Sequence, residues 1–303
     1  MSKKIIFFGN EKLATGISTK AEIFSGLIEA NYQIQSLIIS QKNSKAIEEL
    51  EIVKLARKHH IDVRSYNNLK EATDELSKFK IDTAILVAYG KIIPKETLDI
   101  FKNGIINIHP SLLPKHRGPT PIESTILNGD KKTGISIIKL DQDMDSGPIY
   151  IQQELTLQGH ETKQQLADQL DLLAKQLLIA NLDGIISGNI QPHDQIGEPS
   201  YDKLLSKNDG RINWQDNWIT IERKLRAFSN WPRLRFNLSG LDIVILNAHF
   251  IQKIGPPGKH VIHEGDLGIF CNDGLVIVDS LLPVGRGTMS GKDFLIGYKN
   301  KIF

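Results

Sequence analysis

The first half of the chain alternates short apolar runs with longer amphipathic segments. The runs carry little polar alternation and lie at residues 4–8, 36–40, 83–88 and 104–109. Strands of this kind are buried on both faces, and helices between them cover a parallel sheet. The pattern predicts an α/β fold, with a Rossmann-like, mostly parallel sheet and helices on both of its faces.

The segments between these runs have the spacing of amphipathic helices. Apolar residues recur at helical intervals over residues 21–30, 44–59 and 162–183, which predicts three helices. Two further apolar runs, at 134–140 and 149–155, predict two more strands, and the second of them can run antiparallel.

The pattern changes near residue 189. Residues 184–206 contain Gly, Pro, Asn and Ser with little periodicity, and the stretch from residue 189 onward is predicted to be a linker. We therefore expect a first domain over residues 1–188, the linker over 189–206, and a second domain over 207–303.

The second domain is predicted to consist of short strands separated by turns. One helix is predicted over 219–228, followed by strands over 241–246, 268–271 and 275–278. Asn272-Asp273-Gly274 predicts the hairpin turn between the last two strands. Short strands with frequent turns and one helix are typical of a small β-barrel, so we expect an OB-like domain.

Composition excludes several classes of protein. The chain has 303 residues, of which 40% are hydrophobic and 24% charged, as in ordinary globular proteins. Its apolar stretches fall far short of the roughly 18 residues of a membrane span, and the apolar run at the N-terminus is too short for a signal peptide. The single cysteine, Cys271, cannot form an intramolecular disulfide. We expect a cytoplasmic protein without membrane segments.

Positive charge is concentrated towards the C-terminus. Residues 1–199 contain 23 Lys and Arg against 25 Asp and Glu, whereas residues 200–303 contain 14 against 10. The densest basic stretch of this part runs from Arg223-Lys224-x-Arg226 through Arg233-x-Arg235, and we call its first three members the 223–226 cluster. Such a cluster suits a polyanionic partner, but an ordinary solvated helix face carries the same residue types.

One strand end carries residues suited to acyl-transfer chemistry. Asn107 and His109 are two apart in the fourth apolar run, so they share one face, at the edge where open parallel sheets bind ligands. A carboxamide can donate to a developing oxyanion, and an imidazole can exchange protons near neutral pH. Downstream, one turn gathers the carboxylates of Asp141, Asp143 and Asp145. The sequence contains no phosphate loop, nucleophile elbow or zinc-binding motif, so we expect neither a metal nor a covalent intermediate.

These residues belong to a longer pattern. Asn107-x-His109 is followed by Ser111-Leu112-Leu113-Pro114, by Arg117-Gly118, and later by Asp141-x-x-Met144-Asp145-Ser146-Gly147. The pattern resembles that of the 10-formyltetrahydrofolate-dependent formyltransferase family. The resemblance implies that Asn107, His109 and Asp145 form the catalytic trio.

The same resemblance implies a co-substrate and its pocket. The formyl donor is 10-formyltetrahydrofolate, and no metal takes part. The loop that contributes to folate binding corresponds to Ser111, Leu112, Leu113 and Pro114. Tyr89 and Gly90, within the segment 87–94, resemble the wall of the same pocket.

The C-terminal third resembles one branch of this family. Residues 204–214, 226–232 and 282–289 are most similar to the members that formylate initiator methionyl-tRNA for translation initiation. The resemblance implies an OB-like domain that binds tRNA, with the 223–226 cluster as its candidate contact. We expect a monomer. Members that formylate nucleotide-sugar amines or hydrolyse 10-formyltetrahydrofolate share the trio, so those activities are alternatives.

One loop departs from the family pattern. The loop after the second strand is usually basic and rich in Gly and Pro and reaches the acceptor end of the tRNA. Here residues 40–45 are short and carry only Lys42 and Lys45. We expect both lysines to contact tRNA phosphates, and we expect the 223–226 cluster to matter more than in a relative with a full basic loop.

Overall fold

The computed structural model describes residues 3–13, 17–40 and 47–302. The chain divides into two compact units. The N-terminal unit extends to residue 204, except that residues 126–129 and 159–163 group with the C-terminal unit. Residues 189–204, which the sequence places in a linker, therefore group with the N-terminal unit.

Within the described part of the N-terminal unit, seven strands form one sheet in the spatial order β3-β2-β1-β4-β5-β6-β7. The strands are β1 Lys4–Gly9, β2 Gln33–Ile39, β3 Asp62–Ser65, β4 Ala84–Val87, β5 Ile105–His109, β6 Lys132–Lys139 and β7 Ile149–Thr156. The first five are parallel, whereas β6 is antiparallel to both β5 and β7. The predicted Rossmann-like, mostly parallel sheet is confirmed.

Burial explains why most of these strands are visible in the sequence. Every residue of β4 and β5 is buried, and in β1 only Lys4 is exposed. The edge strand β3 is the exception, because its four residues are mostly polar and none of them is buried. The sequence pattern therefore does not predict β3.

Six helices with described bounds accompany this sheet: α1 Glu22–Glu29, α2 Glu51–Lys58, α3 Leu69–Ser77, α4 Lys95–Leu98, α5 Pro121–Asn128 and α6 Lys163–Ile186. The predictions of α1 and α6 are confirmed. Within the helix predicted over 44–59, residues 47–48 and α2 are helical, but the helix is interrupted before Glu51, because Leu50 is extended, with ψ 132°. Residues 41–46 lie outside the described residues. The sequence pattern does not predict α3, α4 or α5. Pro121 can open α5 because proline is accepted in the first turn of a helix.

An antiparallel sheet forms the core of the C-terminal unit. Its described strands have the order β10-β11-β12-β9-β8, and the short β13 pairs with β12. The strands are β8 Arg235–Leu238, β9 Leu241–Ile251, β10 His260–His263, β11 Asp266–Phe270, β12 Leu275–Pro283 and β13 Met289–Ser290. This antiparallel half-barrel confirms the predicted OB-like architecture.

The C-terminal unit also contains a 3₁₀ turn, Lys207–Gly210, and two helices, α7 Trp218–Ala227 and α8 Gly291–Ile302. The prediction of α7 is confirmed, whereas α8 is not predicted. Phe294 of α8 is fully buried and packs in one cluster with Leu281. A side chain on Gly291 would place its Cβ 2.2 Å from the Val278 carbonyl, so glycine is required where α8 begins. No helix in the described ranges is long and apolar enough to cross a membrane.

Candidate active site

The carboxyl end of β5 positions two of the predicted residues. Asn107 and His109 are two apart on the strand, so they share a face, and each is 5% exposed. Asn107 Nδ2 donates to Asp145 Oδ1 at 3.3 Å, and His109 Nδ1 lies 3.6 Å from the same oxygen. The three predicted catalytic residues are therefore brought together around one carboxylate oxygen.

The turn between β6 and β7 directs Asp145 towards β5. Its backbone lies in the left-handed region, with φ 50°, and its Oδ2 accepts the backbone N–H of Gly118 at 2.8 Å. The Gln195 side chain donates to the carbonyls of Asp145 and Gly147, at 2.8 and 2.9 Å. Asp143, two residues earlier, is exposed. Hydrogen bonds on both sides of the turn thus hold the Asp145 carboxylate in place.

The second ring nitrogen of His109 has its own partner. Nε2 lies 2.8 Å from the backbone carbonyl of His116. A carbonyl oxygen only accepts, so this hydrogen bond requires a proton on Nε2. In the neutral ring, Nδ1, which faces Asp145, is then the nitrogen without a proton.

The loop predicted to contribute to folate binding is partly turned into the protein. Ser111 is fully buried and donates to a backbone carbonyl of the same loop at 2.6 Å. Leu113 is 3% exposed and packs on two isoleucines, one in β6 and one in β7. Leu112 and Pro114 are half-buried. Ser111 and Leu113 therefore shape the loop, while Leu112 and Pro114 retain accessible surface.

Tyr89 and Gly90 follow β4, the strand beside β5. Tyr89 is 1% exposed and packs edge-on against Phe8, with ring centroids 5.6 Å apart. Burial raises the pKa of the Tyr89 hydroxyl to about 12, and this hydroxyl has no hydrogen-bond partner in the described part of the chain. A buried polar atom of this kind lacks the partner that such atoms usually have in folded proteins. Gly90 is exposed, with φ 75°.

The 223–226 cluster lies on α7, and two of its members are engaged in ion pairs. Lys224 Nζ lies 2.7 Å from Asp216 Oδ2. Arg226 pairs with Glu222, one helical turn away, and its side chain is only 13% exposed. The positive charges of Lys224 and Arg226 are therefore compensated within the unit.

The remaining candidates for tRNA contact differ from this pair. Arg223 donates to the backbone carbonyl of Asn128 at 3.2 Å, a neutral partner, and it forms no ion pair within the described ranges. Lys42 and Lys45 lie outside the described residues.

His116 is a further functional candidate. The sequence places it in the loop after β5 but gives no sign of a role for its side chain. Its Nε2 lies 2.7 Å from Asp130 Oδ2, its Nδ1 lies 3.2 Å from Asp202 Oδ1, and its side chain is 6% exposed. Burial lowers the pKa of His116, but the hydrogen bonds to the two carboxylates outweigh burial and raise the pKa to about 9. The two aspartates are 14 and 86 residues away in the chain, so no local motif contains all three residues.

The chain thus combines a Rossmann-like unit, in which Asn107 and His109 of β5 approach Asp145 of the β6–β7 turn, with an OB-like unit. The model of the formyl transferase family matches residues 4–182, and the model of the formyl transferase C-terminal domain matches residues 204–299. The chain therefore belongs to the formyl transferase family. The resemblance found in the sequence is confirmed.

Individual relatives match most of the chain. A methionyl-tRNA formyltransferase from Thermodesulfovibrio yellowstonii is 32% identical, over 99% of this chain and 97% of its own length. HypX from Aquifex aeolicus has a TM-score of 0.68 and 16% identity; the match covers 99% of this chain but only 48% of HypX. An N-formyltransferase from Helicobacter canadensis, solved with folinic acid and dTDP-3-aminofucose, has a TM-score of 0.68 and 19% identity, over 92% of this chain and 99% of its own. At these identities, the two solved structures show the fold alone.

Proposed function

We propose that this protein transfers the formyl group of 10-formyltetrahydrofolate to the amino group of initiator methionyl-tRNA. The observation that carries the proposal is the approach of Asn107 and His109 to one oxygen of Asp145, at 3.3 and 3.6 Å. The full-length similarity to a protein named methionyl-tRNA formyltransferase supports the choice of amine. We place the reaction in cytoplasmic translation initiation, performed by a monomer.

Formyl transfer to an amine is an acyl transfer through a tetrahedral intermediate. The amine nitrogen forms a bond to the formyl carbon, and the bond from that carbon to N10 of the folate then breaks. An oxyanion develops on the formyl oxygen between these two events. Asn107 has two amide hydrogens, one of which is given to Asp145 and the other of which can be donated to the oxyanion.

The reaction also moves one proton from the attacking amine to N10. His109 Nδ1 is suited to accept this proton, because its Nε2 is already occupied by the His116 carbonyl. Asp145 Oδ1, 3.6 Å away, would stabilise the imidazolium that forms. His109 then returns the proton to the departing N10, and the site ends in its starting protonation state.

For the folate we propose the space beside β4 and the 111–114 loop. Tyr89 supplies a buried hydroxyl without a described partner, and Gly90 allows a close backbone approach. Leu112 and Pro114 supply accessible apolar surface. Ser111 and Leu113 would act indirectly, through the conformation of the loop.

For the tRNA we propose the OB-like unit as the main contact surface. An A-form stem presents phosphates more readily than major-groove base edges, so Lys and Arg side chains supply most of the affinity. Arg223 is the strongest candidate in the 223–226 cluster, because its partner is neutral. Lys42 and Lys45 are further candidates.

The purified protein tests the proposal when it is supplied with 10-formyltetrahydrofolate and one acceptor at a time. The acceptors are initiator methionyl-tRNA, a nucleotide-linked amino sugar, and water alone, with the Asn107→Ala variant as control. We expect formyl-methionyl-tRNA from the first acceptor and little product from the others. A faster reaction with the amino sugar, or rapid release of formate in water, would overturn the choice of substrate.

A further inference from the structure

His116 forms a buried charged cluster outside the predicted trio. Its two ring nitrogens face Asp130, in the turn between α5 and β6, and Asp202, in the segment after α6. Carboxylates only accept hydrogen bonds, so both contacts are satisfied together when the ring carries both protons. The Asp202 side chain is 9% exposed, and its Oδ2 has no hydrogen-bond partner in the described ranges, so its charge depends on the His116 cation.

The backbone of His116 is restrained as tightly as its side chain. The residue lies in the left-handed region, with φ 59°. Its N–H donates to Ser200 Oγ at 2.8 Å. Its carbonyl accepts from His109 Nε2 at 2.8 Å. One residue thus joins the 189–204 segment to the ring of the proposed catalytic histidine.

We propose that His116 is a positioning residue for formyl transfer. Its doubly paired side chain holds the carbonyl that keeps His109 in the Nε2–H tautomer, with Nδ1 facing Asp145. This inference rests on the proposed function, because it assigns a purpose to the orientation of His109.

The same geometry makes the positioning sensitive to alkaline pH. When His116 loses a proton, one ring nitrogen presents a lone pair to a carboxylate, and a buried charge loses its counter-ion. Among the residues that the structure describes, the charged groups in contact with the ring are Asp130 and Asp202, while His109 contacts the backbone carbonyl of His116. Because the pKa of His116 is raised to about 9, the cluster is intact at neutral pH and loosens above that value.

Two variants separate positioning from a merely structural role. His116→Asn tolerates the left-handed backbone but cannot become a cation, so it leaves at least one carboxylate without a charged partner. We expect its kcat to fall about tenfold or more, with the KM for each substrate within about twofold, because misplacing a catalytic group acts mainly on kcat. Asp202→Asn keeps the shape, and its amide can donate to the neutral imidazole. We expect Asp202→Asn to retain kcat at pH 7 and to lose the decline of kcat near pH 9.

Tyr32→Phe is the matched control. It removes another side-chain hydrogen bond to a carboxylate of the same unit, from the buried Tyr32 to the exposed Asp183, with Oη and Oδ1 2.7 Å apart. We expect Tyr32→Phe to leave both kcat at pH 7 and its decline near pH 9 unchanged. If His116→Asn or Asp202→Asn lowered only stability and left the pH profile of kcat unchanged, as expected for Tyr32→Phe, the role of the cluster would be merely structural.

A second readout does not depend on turnover. Nitrogen-15 spectra of the protein with ring-labelled histidines report which nitrogen of His109 is protonated. The signals of His109 are identified as those that are missing from the spectrum of His109→Ala. We expect the Nε2–H pattern in wild type and in Asp202→Asn, and a mixture of tautomers in His116→Asn.

A folded His116→Asn with wild-type kcat and tautomer would overturn the inference, as would an Asp202→Asn pH profile of kcat identical to that of wild type. If His116→Asn does not fold, Asp202→Asn decides alone. If wild type transfers no formyl group, the proposed function fails, while the spectra still decide whether His116 sets the tautomer.

Discussion

The carboxyl end of β5 and the helix α7 both collect polar side chains, but they arrange them differently. At β5, Asn107 and His109 approach the same oxygen of Asp145, so their functional atoms face one point. On α7, Lys224 and Arg226 each have an acidic partner of their own. At the end of β5 the contacts direct three polar side chains to one point. On α7 the contacts neutralise positive charges that could otherwise bind a polyanion.

The direction of a polar side chain and the availability of its charge are two properties that residue type alone does not reveal. A strand end fixes the direction of its side chains, because residues two apart necessarily share a face. On a helix surface, long side chains can adopt several directions and contact different partners. An arginine there can reach an acidic residue four positions away. The availability of a charged group therefore depends on what lies opposite it.

The largest expected effect comes from removing Asn107 or His109, the residues that approach Asp145. We expect Asn107→Ala and His109→Ala each to lower kcat by about 10²–10³, because each removes a donor or proton carrier at the developing oxyanion. Both variants should fold, which thermal unfolding would check. Near-wild-type turnover in a folded variant would mean that the contacts of Asn107 and His109 with Asp145 do not contribute to catalysis.

The acidic turn offers a matched pair within three residues. Asp145→Asn should lower kcat by roughly 10²-fold, because an amide cannot stabilise an imidazolium as a carboxylate does. Asparagine tolerates the left-handed backbone at this position, where φ is 50°. Asp143→Asn, at an exposed position, should leave kcat within about twofold. Steady-state kinetics on both variants decide, and exchanged effects would show that the wrong carboxylate has been assigned.

The His116 cluster predicts how stability depends on pH. Because the folded-state pKa of about 9 lies above the ordinary 6.5, the folded protein holds the proton more tightly than the unfolded chain. This contribution is fully present below pH 6.5 and is lost as pH rises through about 9, with a total of up to about 3 kcal/mol. Denaturant unfolding of the N-terminal unit at several pH values measures it. The His116→Asn variant should lack this dependence, and an equal decline in that variant would assign it to another group.

The smallest expected effect concerns the 223–226 cluster. Removing one side chain that binds a phosphate should reduce the slope of log KM for tRNA against log salt by about one. We expect Arg223→Ala to show this change, and Lys224→Ala to leave the slope unchanged, because Lys224 is paired with Asp216. The triple alanine variant should then flatten the slope no more than Arg223→Ala does. Three equal single effects would show that the ion pairs on α7 open when tRNA binds.

Much of the site could be predicted from local sequence. The buried runs identify β4 and β5, and the two-residue spacing of Asn107 and His109 predicts their common face. The motif around Asp145 adds the third residue by family resemblance. The structure places Asn107 and His109 within hydrogen-bonding or near-contact distance of Asp145.

Other features depend on packing between distant parts of the chain. The polar edge strand β3 lacks an apolar run, and Gly291 at the start of α8 is required by the nearby Val278 carbonyl rather than by helix propensity. The segment 189–204 has the composition of a linker, yet it supplies Gln195 and Ser200 to the loops around the site. Composition describes how a segment behaves alone, whereas these contacts arise only after folding.

The mostly parallel sheet, the β5 strand end and the family can all be predicted from the sequence, because each depends on periodicity or on a motif within a short stretch. Which charges are free of an acidic partner, and how His109 is held, depend instead on contacts between distant parts of the chain. Asp130 and Asp202 reach His116 from 14 and 86 residues away, and the resulting double ion pair fixes a backbone carbonyl against the His109 ring. Burial then makes the pairing strong, because a charge removed from water must be compensated by the few groups that the fold brings beside it.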